Sequence, residues 1–176
     1  MTDRVWGIAK DLTLNVEGGY QCDSNDKGNW TGGQVGKGEL KGTKYGISAM
    51  SYPHLDIKNL TKDFAEFLYK RDYWDKNKCN YMPDALSVAV FDYVFLSGKQ
   101  AIKDLQASLG VKVDGIIGNQ TIGACNSKPL KPLINEYFNR RIQFITELGN
   151  KPKYAKYKKG WLNRINRVRT VCEGLI

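Results

Sequence analysis

Apolar residues recur at helical spacing along most of the chain. Val5, Ile8, Ala9, Leu12 and Val16 predict an amphipathic helix over about residues 3–17, capped by Thr2 or Asp3 and halted by Gly18-Gly19. A second start signal at Leu60-Thr61-Lys62-Asp63 opens a helix running to about Trp74, with Phe64, Phe67, Leu68 and Tyr73 on its inward face. Ala85 to Leu96 is apolar nearly all round, the pattern of a helix buried at the centre of a fold, and Ser97-Gly98 ends it. Further helices are expected over Lys99–Leu109, from Gln120, over Pro132–Gly149 and over Trp161–Cys172, with Asp114-Gly115 marking a tight turn. In the last of these, Leu162, Ile165 and Val168 point inward and Arg164, Arg167 and Arg169 mostly outward.

The exception is the stretch from Gly18 to Gly46, which is rich in Gly, Asn, Asp, Lys and Thr and too long for a simple connection. Segments of this kind tend to carry sites. Short strands at Tyr20–Cys22 and Thr43–Ile47 are expected to pair across it. The fold class read from this pattern is mainly α, a helical domain with a central buried helix and a long N-terminal loop holding a short β-hairpin.

Composition narrows the chemistry. At 176 residues, 41% hydrophobic and with no apolar run long enough to span a bilayer, the chain reads as one globular unit without a visible membrane anchor or secretory signal. One histidine, His54, makes a His-based zinc hydrolase unsuitable, and Cys22, Cys79, Cys125 and Cys172 form no ligand-like cluster. No metal and no cofactor are expected, and the cysteines read mainly as buried free thiols. Ser127–Ile176 carries 12 Lys and Arg against 3 Asp and Glu, out of totals of 27 and 18, so the whole +9 excess lies in the last fifty residues. Such a face suits an anionic wall polymer, the inner leaflet of an outer membrane, or nucleic acid through Arg140, Arg141, Arg164, Arg167 and Arg169. No nucleic-acid motif supports the last, so a basic, non-catalytic helical binding module stands only as the alternative.

Glu17 follows the first predicted helix, where the partial negative charge of the terminal carbonyls favours a protonated carboxyl. A general acid needs that environment. With Glu17-Gly18-Gly19-Tyr20 stand Asp23, Asp26 and Thr43-Lys44-Tyr45-Gly46-Ile47-Ser48. Together these resemble the E-G-G-Y, D, T-x-x-G-I-T opening of the glycoside hydrolase family 108 lysozymes, N-acetylmuramidases found as phage endolysins and as bacterial secretion-associated enzymes. Tyr69 to Asp75, Phe91-Asp92-Tyr93 and Ser97-Gly98 resemble later segments of that family. Leu105-Gln106-Ala107-Ser108-Leu109-Gly110 with Val113-Asp114-Gly115-Ile116-Ile117-Gly118-Asn119-Gln120-Thr121 is similar to the peptidoglycan-binding region usually fused to it, and Arg140-Arg141 and Gly160 to Arg164 match its closing helices. The chain departs from the pattern in lacking Asp-Pro pairs after Tyr20, in extra glycines and lysines over Gly28–Gly42, and in Leu96 where Asn is common.

The resemblance implies a lysozyme-like fold, a catalytic region over 1–97 and a helical peptidoglycan-binding region over 98–176, packed as one unit. It implies peptidoglycan as partner, a monomer, and action on the cell wall after cytoplasmic synthesis and release through a holin pore. Glycosidic cleavage needs a proton for the leaving oxygen and a second group to activate water or stabilise the oxocarbenium-like transition state. Glu17 is assigned the first role. Asp26, nine residues on, is assigned the second, with Asp23 and Glu39 as alternatives, and Thr43 is expected to hold a water or sugar hydroxyl. Tyr20, Tyr45, Tyr73 and Trp74 are the candidate sugar-stacking faces.

Overall fold

The structure, a computed structural model, describes residues 2–14 and 18–176. It is mainly α, with one two-stranded sheet among the described residues. Close contacts divide the chain into two units: residues 1–13 with 72–176, and residues 14–71.

The larger unit is built on α3 (Asp84–Ser97), whose residues 85 to 94 are all buried, Ser87 and Asp92 included, as a segment apolar nearly all round predicts. Each Leu, Val or Phe side chain removed from water there contributes about 1.5–3 kcal/mol. Around it pack α1 (Thr2–Thr13), α4 (Lys99–Leu109), α6 (Leu130–Gly149) and α7 (Lys158–Glu173), while α5 (Asn119–Ser127) packs on α4. Gly98 alone joins α3 to α4, at φ 55° and ψ −129°, a conformation that side-chain-bearing residues rarely adopt. At the other end of α4, Gly110 is left-handed at φ 68° and returns its N–H to Gln106 and Ala107 carbonyls.

Two buried polar hubs fasten this unit. Asp92, fully buried on α3, accepts from Arg141 Nη2 at 2.6 Å, Arg164 Nη2 at 2.7 Å and Thr13 Oγ1 at 2.9 Å. Burial alone would raise its pKa, but the two guanidinium groups hold it below the usual carboxylate value. The outward orientation expected for Arg164 and Arg169 is therefore corrected. Arg164 also bonds the Thr13 carbonyl at 3.0 Å, and Arg169 is half-buried over the Phe138 ring, bonded to Asn135 and Glu173. Only Arg167 of the three is exposed. A buried carboxylate needed partners, and the most basic helix supplied one of them.

The second hub is Gln106, 1% exposed on α4. Its Oε1 accepts the Asp114 and Gly115 N–H groups at 3.1 and 2.8 Å, and its Nε2 reaches Asp114 Oδ1, the Ile116 carbonyl and Thr121 Oγ1 at 2.9, 3.0 and 3.3 Å. One side chain thus shapes the turn after α4.

α1 spans Thr2–Thr13, with the Thr13 carbonyl taken by Arg164, and residues 15–17, over which the helix is expected to continue, lie outside the described residues. Glu17, expected on that helix's last turn, lies outside the described residues.

In the smaller unit, β1 (Thr43–Lys44) pairs antiparallel with β2 (Ile47–Ser48), and isolated bridges join Gln21 to Thr43 and Trp30 to Leu40. The expected pairing of the Tyr20–Cys22 and Thr43–Ile47 segments is present in this short form. α2 (Lys62–Tyr69) is capped by Thr61 Oγ1, which accepts the Phe64 N–H, and is followed by a π turn over Lys70–Asp75 whose residues from Asp72 on belong to the larger unit. Its buried face is Ala65, Leu68 and Tyr69. Phe64 and Phe67, expected inward, are 41% and 53% exposed and stack on each other, with the Arg71 guanidinium over Phe67. Mutual stacking and a cation cover in part what the core does not.

Candidate active site

The polar loop closes on itself through one amide. Asn29, fully buried at the end of a 3-10 turn over Lys27–Asn29, accepts the Thr43 hydroxyl at 2.7 Å and the Gln21 side-chain amide at 3.1 Å on Oδ1. Its Nδ2 donates to Gln21 Oε1 at 2.7 Å and to the Asp23 carbonyl at 2.9 Å. Its own carbonyl receives the Lys41 and Gly42 N–H groups. Leaving any of these unpaired in the interior would cost about 1–3 kcal/mol, so the amide dictates the loop's path.

Asp26 caps the 3-10 turn: Oδ1 accepts the Gly28 N–H at 2.8 Å and Oδ2 the Gln21 amide at 3.3 Å. Asp26 and Thr43, 17 positions apart in sequence, are thus tied to the same Gln21–Asn29 pair. The Asp26 side chain remains open to solvent, so a water or a sugar can reach the carboxylate that the loop orients. Asp23 spends Oδ1 on the Asn25 N–H at 2.9 Å, a local turn. Glu39 stands on the Thr31–Glu39 hairpin, 3.5 Å from the Lys41 ammonium, with its side chain 76% exposed.

Tyr20 is exposed and lines a cleft of about 410 Å³ with Leu40, Lys41, His54, Leu55, Asp56, Ile57 and Lys58. A hydrogen bond with Cys22, followed by burial and the Asp56 charge, raises its pKa, keeping the phenol a neutral hydroxyl. Gly42, at φ 83°, makes this approach possible, because a Cβ there would collide with the Gln21 carbonyl oxygen and the Tyr20 ring. Tyr45, left-handed at φ 52°, bonds its N–H to the Gly18 carbonyl at 3.1 Å and its carbonyl to the Tyr69 hydroxyl at 2.9 Å, with the Lys44 ammonium 5.2 Å from its ring centre. These contacts hold the segment after Glu17 against the strand that carries Thr43.

Tyr73 and Trp74 belong to the other unit. Trp74 is 1% exposed, its ring edge-on to Trp6 and Phe91 and its Nε1 bonded to Asn80 at 2.6 Å. That ring is core and offers no face for a sugar. Tyr73 is half-buried, edge-on to Phe95, and faces a separate cleft.

Gln21 and Asn29 escaped the sequence reading. No spacing rule singles out one amide in a polar loop, and only the bridge between Gln21 and Thr43 reveals why it must be there.

The family model for glycosyl hydrolase 108 matches residues 10–98, a span that contains the whole polar loop and α3. The chain belongs to this family. A second family model, described as a predicted peptidoglycan domain, matches residues 100–166, where Gln106 shapes the Asp114-Gly115 turn. The solved structure of SagA from Brucella abortus is similar over 99% of this chain and 97% of that chain, at 27% identity and a TM-score of 0.74. No curated protein matches. The chain is accordingly a lysozyme-like glycoside hydrolase of the N-acetylmuramidase kind, with peptidoglycan as its partner and the cell wall as its place of action. No helix among the described residues is long and apolar enough to cross a membrane.

Proposed function

We propose that the enzyme hydrolyses the β-1,4 bond between N-acetylmuramic acid and N-acetylglucosamine, with Glu17 protonating the leaving oxygen. Asp26 acts across the bond, activating water or stabilising the positive charge that grows on the sugar ring, and Thr43 positions a water or sugar hydroxyl with its oxygen lone pairs. The observation that carries this reading is the joint attachment of Asp26 and Thr43 to Gln21 and Asn29. It supports a single oriented arrangement in the loop that begins just after Glu17, where Gly18 is bonded to Tyr45. Tyr20 and Tyr45 line the saccharide path. The catalytic role is allotted to residues up to 97 and the wall-binding role to those from 98. The endolysin role, release through a holin pore and a monomeric working form belong to the same proposal and rest on the family resemblance alone.

The test is turbidity loss of purified walls by the wild type, Glu17→Gln and Asp26→Asn. Glu17→Gln keeps the size and removes the transferable proton, so lysis is expected to fall by roughly two to four orders of magnitude, the usual worth of acid catalysis. Near wild-type lysis by Glu17→Gln, with Asp26→Asn inactive, would overturn the assignment.

A further inference from the structure

The helical unit holds a second cleft of about 410 Å³, within the size range of small-ligand sites, which the proposed glycosidase chemistry leaves unused. Val94, Ile102 and Ile117 give it an apolar lining, and Ile116, 66% exposed, adds a branched side chain that solvent still reaches. Lys76 and Lys99, both exposed, bring two ammonium groups against the one carboxylate of Asp72. Lys99 also opens α4, whose N-cap Gly98 supplies no side-chain cap, so the positive end of that helix faces the same lining. Asn77 is 8% exposed and donates its Nδ2 to the Tyr73 carbonyl at 2.7 Å, which fixes the amide's orientation. Its Oδ1 has no donor among the described residues and remains as an acceptor on the cleft wall.

This lining is sorted by chemistry. A bare glycan strand presents hydroxyls and flat ring faces, and is best met by open aromatic platforms and paired amides. The one aromatic ring here, Tyr73, is edge-on to Phe95. Isoleucines beside two cations and one directed acceptor instead match a short peptide that carries methyl side chains, free carboxylates and N–H groups. The side supplied by Gly115, Ile116 and Ile117 is also preformed, because Gln106 holds the Asp114 and Gly115 N–H groups and the Ile116 carbonyl. Little ordering is then needed when a ligand arrives.

We propose that this cleft binds the stem peptide of peptidoglycan, the anionic, alanine-bearing peptide attached to muramic acid. The proposal rests on peptidoglycan as the substrate. It gives the Val113 to Gly118 segment a stated ligand, and it makes the enzyme sensitive to whether the strand it meets still carries peptides.

The experiment titrates the isotope-labelled full chain with the synthetic tetrapeptide L-Ala-γ-D-Glu-meso-diaminopimelate-D-Ala and follows backbone amide signals. Shifts are expected at residues 72–77, 98–102 and 115–117. Lys99→Glu should weaken binding by about tenfold, since it turns an attraction for carboxylates into repulsion. An acidic residue is favoured at the start of a helix, so this variant keeps its fold. Lys131→Glu, the same charge change on α6 at a residue outside the cleft lining, should bind as the wild type does. In parallel, Lys99→Glu should lower the rate on intact walls relative to that on strands stripped of peptides by an amidase. Absence of shifts at millimolar peptide, shifts at other residues, or an equal loss in Lys131→Glu would overturn the proposal. Peptide binding at the named residues by a protein that cleaves neither substrate would support it, and would sink the glycosidase assignment instead.

Discussion

Asp92 on α3 and Arg164 on α7 bond at 2.7 Å although 72 positions separate them in sequence. The carboxylate is fully buried and its second oxygen is held by Arg141 at 2.6 Å, itself 2% exposed. Removing one partner would leave an uncompensated charge in the core, which costs about 3–5 kcal/mol. Arg164→Ala should therefore lower the melting temperature by many degrees, whereas Arg167→Ala, exposed on the same helix, should leave it nearly unchanged. Thermal unfolding followed by circular dichroism decides, and equal small effects would show that the Asp92 pair does not fasten α7.

The same pair sets an acid limit. The folded pKa of Asp92 lies below its unfolded value, so the unfolded chain binds the proton more readily. Its contribution is complete above the unfolded value of about 3.9 and is lost as pH falls through the lower folded value. The melting-temperature gap between wild type and Asp92→Asn should be constant from pH 7 to 5 and shrink below about pH 4. A gap that widened on acidification would refute the sign.

Asn29→Ala removes the acceptor of the Thr43 hydroxyl and the donor to Gln21 and the Asp23 carbonyl. Loss of about 1–3 kcal/mol is expected, together with a fall in wall lysis larger than the loss of folded protein explains. Gln21→Ala, at an exposed position, should reduce lysis with a smaller effect on melting. Activity per folded molecule is the quantity to compare, and an unchanged value in both variants would separate this network from catalysis.

Product analysis tests the bond. Digested peptidoglycan should carry muramic acid at its new reducing ends. Reducing-end glucosamine, freed alanine amines or cut stem peptides in the mass spectrum would each point to a different hydrolase.

Targeting by charge has to move to other residues, because Arg164 and Arg141 are committed to Asp92. The exposed cations between α6 and α7 are Lys151, Lys153 and Lys156, the latter two over the rings of Tyr154 and Tyr157. Exposed charges act over about 8–10 Å at physiological salt, so their effect lies in encounter and retention. Reversing the three to Glu should raise the enzyme needed for wall lysis at low salt, less so at high salt, with a short soluble oligosaccharide cleaved at the usual rate. Equal loss on both substrates would end the targeting idea.

These outcomes also mark what a sequence can disclose. The central helix was readable because every turn of it is apolar, and the α4 boundaries because Gly98 and Gly110 have few alternative uses. Arg164 was misread because helical periodicity counts a charged side chain as a solvent-facing one, and the carboxylate that draws it inward lies on another helix. Asn29 and Gln21 were opaque for the same reason. They are paired amides whose other partners lie on separate parts of the loop, and no local pattern records them. Trp74 was a stacking candidate by type, yet it is the core that claimed its ring.

The four thiols offer a practical handle. Cys79, Cys125 and Cys172 are buried, and burial pushes the Cys125 and Cys172 thiols up to about 12 and Cys79 higher still, so the nucleophilic thiolate is scarce at all three. Cys22 is only half-buried and neighbours Tyr20. A maleimide dye added to the native enzyme should therefore mark a single sulfur at the edge of the Tyr20 cleft, giving a reporter of wall engagement without mutagenesis. The remaining three become countable only as the chain opens, so the rate at which labels accumulate beyond the first is a clock for unfolding.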